Sequence, residues 1–127
     1  MLSSPCRTIV VIGLATIAAI TAVSAQNDVQ LVTVVGCLRQ DPGDPPWILE
    51  RATEGIETVT AFTSEDELDR SGTEGLGSLE YRLLGVGEFG VEPHRGHKVQ
   101  VKGLKLRYED EWRLNVTSFQ HLTPNCD

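Results

Sequence analysis

Two histidines three positions apart carry the clearest metal-ligand chemistry in this 127-residue chain. His94 and His97 lie in the sequence His-Arg-Gly-His, and imidazoles at this spacing could bind zinc or copper. Pro93 and Gly96 predict a turn here rather than a helix, and a histidine at the start of a strand commonly packs or donates a hydrogen bond instead. His121, near the end of the last predicted strand, is a third imidazole whose approach the sequence leaves open.

A second group with possible binding chemistry is a polar stripe near the middle of the C-terminal half. Its members are predicted to occupy the outward positions of one strand or hairpin: Lys98, Gln100, Lys102, Lys105 and Arg107. In a chain of net charge −7 this stripe could bind an anionic saccharide or an acidic partner. The alternative is an ordinary solvated face whose lysines oppose edge-to-edge pairing. We take the stripe as the predicted ligand-binding face.

Other motifs in the chain do not predict a reaction. The acidic run at 65–69 suggests calcium, but it lacks the Asp-x-Asp-x-Asp-Gly loop and is typical of a solvated helix face. Residues 85–90 match Gly-x-Gly-x-x-Gly, yet Glu92 and Pro93 exclude the helix that would hold a phosphate. A Gly-x-Ser-x-Gly motif is absent. The sequence therefore predicts a protein that is not an enzyme and uses no cofactor, and its negative charge argues against nucleic-acid binding.

The first 25 residues have the pattern of a secretory signal peptide. A start with one positive charge, Arg7, precedes an apolar run at 9–23, and Val-Ser-Ala at 23–25 predicts cleavage between Ala25 and Gln26. The alternative is a retained anchor, although the run is shorter than the roughly 20 residues that span a bilayer. Cleavage would leave a domain at 26–127 with 10 basic and 18 acidic residues, a net charge of −8. The domain is predicted to be periplasmic or secreted, with no membrane attachment.

Cleavage also determines how many cysteines remain. Cys6 would leave with the leader, so that Cys37 and Cys126 form an even pair, which in an exported domain predicts one disulfide. Two free thiols, or one reactive thiol, are the alternatives. A bridge across 88 intervening residues would stabilise the fold by roughly 4–5 kcal/mol on the chain-entropy model.

Alternating apolar residues predict the elements that must position these groups. Five strands are predicted, with no long helix between them, at 30–38, 47–52, 80–84, 97–108 (interrupted at Gly103) and 112–119. This pattern favours an all-β barrel, with Gly36 at a bulge of the first strand. Residues 53–79 are an acidic excursion between strands two and three. It could hold an extra strand at 57–63, and Ser64 with Glu67 predicts a short helix. The predicted core consists of Trp47, Tyr81, Val99, Val101, Leu104, Leu106, Trp112, Leu114 and Val116.

The order of motifs resembles a small exported bacterial domain family of unknown function, similar to exported bacterial OB-fold proteins. The resemblance is carried by residues 35–38, 81–85, 96–103 and 116–118 with the terminal cysteine, and covers the mature chain except 53–79. It implies a five-stranded OB-like barrel behind a signal peptide, and it supplies no catalytic residues. Our first hypothesis is thus a monomeric, exported domain that binds an unidentified ligand or protein in the cell envelope. The alternative is a metal-binding envelope protein that uses His94 and His97.

Overall fold

The structure is a computed structural model that describes residues 3, 5, 9–19 and 29–127. Residues 9–19 of the predicted leader are exposed and belong to neither a helix nor a strand. The predicted cleavage position between Ala25 and Gln26 lies outside the described residues. Within the described ranges, no helix has the length and apolar character needed to cross a membrane.

Residues 29–127 form a sequence of strands with one short α-helix. The elements are β1 (Gln30–Gln40), β2 (Trp47–Ala52), β3 (Ile56–Glu57), α1 (Glu65–Thr73), β4 (Leu79–Leu84), a 3-10 helix (Glu92–His94), β5 (Lys98–Tyr108) and β6 (Glu111–Thr123).

The five long strands close into a barrel. Antiparallel pairs join β1 to β5, β5 to β6, β1 to β2 and β2 to β4, and a parallel pair joins β4 to β6. Because β1 pairs with both β5 and β2, it completes the ring and leaves none of the five strands as a free edge. The predicted all-β, OB-like barrel is confirmed, with the excursion between β2 and β4 as expected.

The core follows the predicted set except on the distal half of β5. Six of the predicted residues are buried, and Trp112 packs against them: Trp47, Tyr81, Val99, Val101, Leu114 and Val116. The prediction for Leu104 and Leu106 is wrong, since both are only half-buried and lie outside the core cluster. The register between β1 and β5 runs unbroken through Gly103, so alternation continues and places these leucines on the opposite face from Val101.

Two glycines explain where the strands approach closely. The register of β1 on β5 is continuous across Gly36, so the predicted bulge there is wrong. A Cβ at Gly36 would instead lie 2.6 Å from Leu49 Cγ inside the barrel. At Gly103 a Cβ would lie 2.7 Å from the Asn115 carbonyl oxygen, beside the register shift between β5 and β6. Both positions therefore need glycine for lack of space rather than for a turn.

The excursion folds back over the outside of the barrel. Helix α1 begins as predicted, because the Ser64 hydroxyl accepts a hydrogen bond from the Glu67 N–H at 3.3 Å. Of the possible strand at 57–63, only Glu57 is in a strand: it belongs to β3, whose two residues pair with β1. The chain at 58–63 and α1 lie against the outer side of β5 and β6. They therefore cover part of the predicted ligand-binding face.

Candidate metal centre

A tight turn before β5 positions His94 and His97. The 3-10 helix ends at His94, the His97 N–H donates to the His94 carbonyl at 2.9 Å, and Gly96 adopts a φ of +81° that other residues rarely accept. Strand β1 fixes this turn from the side. The Leu38 N–H donates to the His97 carbonyl at 3.0 Å, and the Gly96 N–H donates to the Leu38 carbonyl at 2.7 Å. The backbone that carries both imidazoles is therefore hydrogen-bonded into the barrel.

Strand β6 brings the third imidazole to the same place. His121 pairs with Val99, two residues beyond His97. The ring centroid of His121 lies 5.1 Å from that of His94 and 5.0 Å from that of His97, and the latter two are 5.6 Å apart. One possible ligand atom from each of the three residues lies within 4.8 Å of the others. Three imidazoles at this separation can converge on one metal ion.

Two nitrogen atoms of the cluster are buried without a partner. The Nδ1 atoms of His94 and His97 have no hydrogen bond to any described residue. On its apolar side, His94 packs against Phe119, whose ring centroid is 5.8 Å away. A buried polar atom without a partner costs about 1–3 kcal/mol, so such atoms in a folded domain call for an explanation. Metal ligation would supply one.

The surroundings of His121 favour its neutral form. Desolvation is the main factor that lowers the pKa of His121, and positive charge on either neighbouring imidazole would act in the same direction. The residue as a whole is exposed. Because the neutral imidazole is the form that ligates metals, a lowered pKa favours a ligand role for this residue.

The predicted disulfide is present and lies directly beside the turn. Cys37 and Cys126 are bonded, with their Cα atoms 5.6 Å apart. Cys37 immediately precedes Leu38, which holds the turn, and the Cys126 sulfur contacts the Gly96 carbonyl oxygen at 3.1 Å. The bridge thus ties the end of the chain after β6 to β1 and to the histidine turn.

The predicted ligand-binding face does not exist as one exposed surface. Lys98, Gln100 and Lys102 are buried, with 9%, 0% and 0% of their surface exposed, because α1 and the chain at 58–63 cover them. Lys105 and Arg107 lie on the opposite face of β5, since unbroken alternation separates odd from even positions.

The covered residues are satisfied by the excursion. The Lys102 ammonium is 2.5 Å from a Glu67 carboxylate oxygen and donates to the Phe62 carbonyl at 2.7 Å. The Gln100 amide donates to the Ser71 hydroxyl at 2.6 Å. Lys98 donates to the carbonyls of Gly72 and Glu74 at the end of α1. These residues therefore anchor the excursion to the barrel.

The two remaining cations of the stripe pack on an aromatic ring. The Lys105 ammonium lies 4.2 Å and the Arg107 guanidinium 4.6 Å from the centre of the Trp112 ring. Trp112 is thereby occupied by side chains of its own hairpin.

The acidic run at 65–69 also has a structural use. It lies in the first turns of α1, where negative charge is favourable, and Glu67 is the partner of Lys102. Among the described residues, the three histidines are the one group of three or more side chains with metal-ligand spacing.

The fold and the cluster together define a small disulfide-bonded OB-like barrel with three histidines at one end of its longest hairpin. Comparison of the chain with known protein families, with curated proteins and with solved structures finds no match. The fold assignment therefore rests on the strand pairing itself, and the resemblance to an exported bacterial family stays a prediction.

His121 is the functional candidate that the sequence left undecided. A signal for it was present in the hairpin. Folding two long strands about the charged turn at 109–110 pairs Tyr108 with Glu111 and brings position 121 next to the start of β5. Counting from that turn pairs His121 with Lys98, the neighbour of His97, and the one register shift on the way moves the pairing by a single residue, to Val99.

Proposed function

We propose that this protein binds one divalent transition-metal ion, Zn²⁺ or Cu²⁺, through His94, His97 and His121. The observation that carries the proposal is the convergence of three imidazoles, two of which bury a nitrogen without a hydrogen-bond partner. Imidazole is a preferred ligand of both ions.

The metal hypothesis takes precedence over the ligand-face hypothesis because of what the two sets of residues already contact. The polar atoms on the covered side of β5 are engaged by α1 and the chain at 58–63, whereas the histidines keep unused nitrogens. A group with unsatisfied bonding capacity can bind something without first breaking a contact within the protein.

We infer that the protein works outside the cytoplasm, in the periplasm or beyond the cell. The disulfide is compatible with an oxidising compartment, and the signal-peptide pattern of residues 1–25 points the same way. Intact mass spectrometry of the exported protein tests both points. We expect a chain that begins at Gln26 and that gains two alkylatable thiols only after reduction. A chain that begins at Met1 would contradict cleavage of the leader, and two thiols that alkylate without reduction would contradict the oxidising compartment.

Metal uptake is tested by equilibrium dialysis and calorimetry with Zn²⁺ and Cu²⁺ on protein that carries no histidine tag. We expect one ion per chain. The chain contains only these three histidines, so the variant His94→Ala removes one third of its imidazoles. Residues that merely orient ligands are worth about 10–100-fold in affinity, so loss of a ligand should cost at least about 100-fold.

A matched control addresses binding by surface carboxylates. Asp66 and Asp69 are exposed acidic residues of α1, and the double variant Asp66→Asn, Asp69→Asn should bind the ion as tightly as the unmodified chain. If His94→Ala instead bound as tightly as the unmodified chain, the three-histidine site would be wrong.

A further inference from the structure

The histidine cluster offers a metal ion neutral ligands only. Neutral imidazoles contribute no charge, and the described residues add no aspartate, glutamate or cysteine to the group. Within the turn itself, exposed Glu92 and Arg95 carry opposite charges and offset each other. A bound divalent ion would therefore keep its full charge of about +2 in a half-buried setting, where an uncompensated charge is costly.

The cluster also leaves room in the coordination sphere. Closed structural zinc sites use four protein ligands, whereas three protein ligands leave a position for water or another small molecule. His94 and His97 are half-buried, with His94 packed against Phe119, and His121 is exposed. The cluster is therefore accessible from solvent beside His121.

Resting on the proposed function, we propose that the metal centre takes a small monodentate anion from solution as its fourth ligand. Hydroxide, halides and linear pseudohalides belong to this class. An anion compensates the ion's charge, which the three imidazoles do not, and a single donor atom fits the one position left open. The site is therefore an anion receptor when the metal is bound, although the protein as a whole has a net charge of −7.

The test uses the full disulfide-bonded protein loaded with Co²⁺, which adopts zinc-like coordination and has a visible spectrum that reports its ligands. Azide is titrated into the protein, and acetonitrile serves as a neutral, linear nitrogen donor of similar size. We expect azide to change the spectrum in a saturable way and to bind at least about tenfold more tightly than acetonitrile, since one charge–charge attraction is gained.

The outcomes separate this inference from the proposal on which it rests. Absence of Co²⁺ uptake by the unmodified protein would overturn the metal site itself. Uptake with a spectrum that azide leaves unchanged would show a closed site and overturn only the inference. Equal affinity for azide and acetonitrile would overturn the charge argument, and this comparison needs no variant.

Discussion

The covered face of β5 and the turn that precedes it both bury polar side chains, but these side chains differ in their partners. On the covered face, Lys102 reaches a carboxylate and backbone carbonyls, and Gln100 reaches the Ser71 hydroxyl. In the turn, the Nδ1 atoms of His94 and His97 reach no partner among the described residues.

This difference separates a structural role from a binding role. Polar groups that are buried with all their partners stabilise one arrangement of the chain, and replacing either partner is costly. Polar groups that are buried without partners destabilise the fold, so their presence points to a ligand. Burial of polar side chains therefore indicates a structural role on the covered face of β5 and a candidate binding site in the histidine turn.

The largest effect is expected from removal of the disulfide that lies beside the histidine turn. The double variant Cys37→Ser, Cys126→Ser should lose about 4–5 kcal/mol of unfolding free energy on the chain-entropy model. It should also bind Zn²⁺ more weakly, because the turn and the end of β6 are then joined only by hydrogen bonds. Denaturant titration and calorimetry measure the two effects. Unchanged zinc affinity would show that β1 holds the turn without the bridge.

The next effect concerns the ion pair of the covered face. Glu67→Gln leaves the Lys102 ammonium buried beside neutral groups, and breaking a buried pair from one side typically costs 3–5 kcal/mol; because Glu67 is 24% exposed, we expect about 2–3 kcal/mol. The double variant Glu67→Gln, Lys102→Met removes the stranded charge and should recover part of the loss. Zinc affinity should stay unchanged in both. If Glu67→Gln were as stable as the unmodified chain, the ion pair would not stabilise the packing of the excursion on the barrel.

A smaller effect is expected where the covered face uses neutral groups. Ser71→Ala removes the hydroxyl that accepts from Gln100, and the amide nitrogen retains only a long contact of 3.5 Å to the Glu67 carbonyl. Loss of one such hydrogen bond should cost about 1–2 kcal/mol. The exposed neighbour Thr73 provides the control, because Thr73→Ala removes a hydroxyl that bonds only within its own helix. Equal losses in the two variants would mean that the Gln100 contact contributes nothing.

The sequence predicted the barrel because its inward positions alternate clearly, and it predicted the disulfide because only two cysteines follow the leader. It failed at β5, where Lys98, Gln100 and Lys102 were correctly assigned to the outer face but not to burial. A side chain that points out of the barrel is exposed only if no other part of the chain packs over that face of the sheet. The polar composition of residues 53–79 gave no sign that they would fold onto it, since their contacts with the barrel are themselves polar.

Prediction of the metal site failed for a similar reason, since it requires a contact between residues far apart in the sequence. His94 and His97 were visible as a pair, but the third imidazole belongs to a residue 24 positions further along. Its approach is fixed by the β5–β6 register, which shifts once between the turn and His121, and a bulge leaves little signal in the sequence of a strand.

The smallest effect should come from the histidines in metal-free protein. His94→Leu keeps the apolar contact with Phe119 and removes a buried nitrogen that has no hydrogen bond, so the unfolding free energy should not fall and should rise by about 1 kcal/mol, the lower end of the cost of such an atom. With zinc at 100 times its dissociation constant, the unmodified chain should gain about 2.7 kcal/mol, and the variant should gain almost none. A large loss of stability in the absence of metal would show that His94 serves the fold as Lys102 does, and the distinction between the two regions would fail.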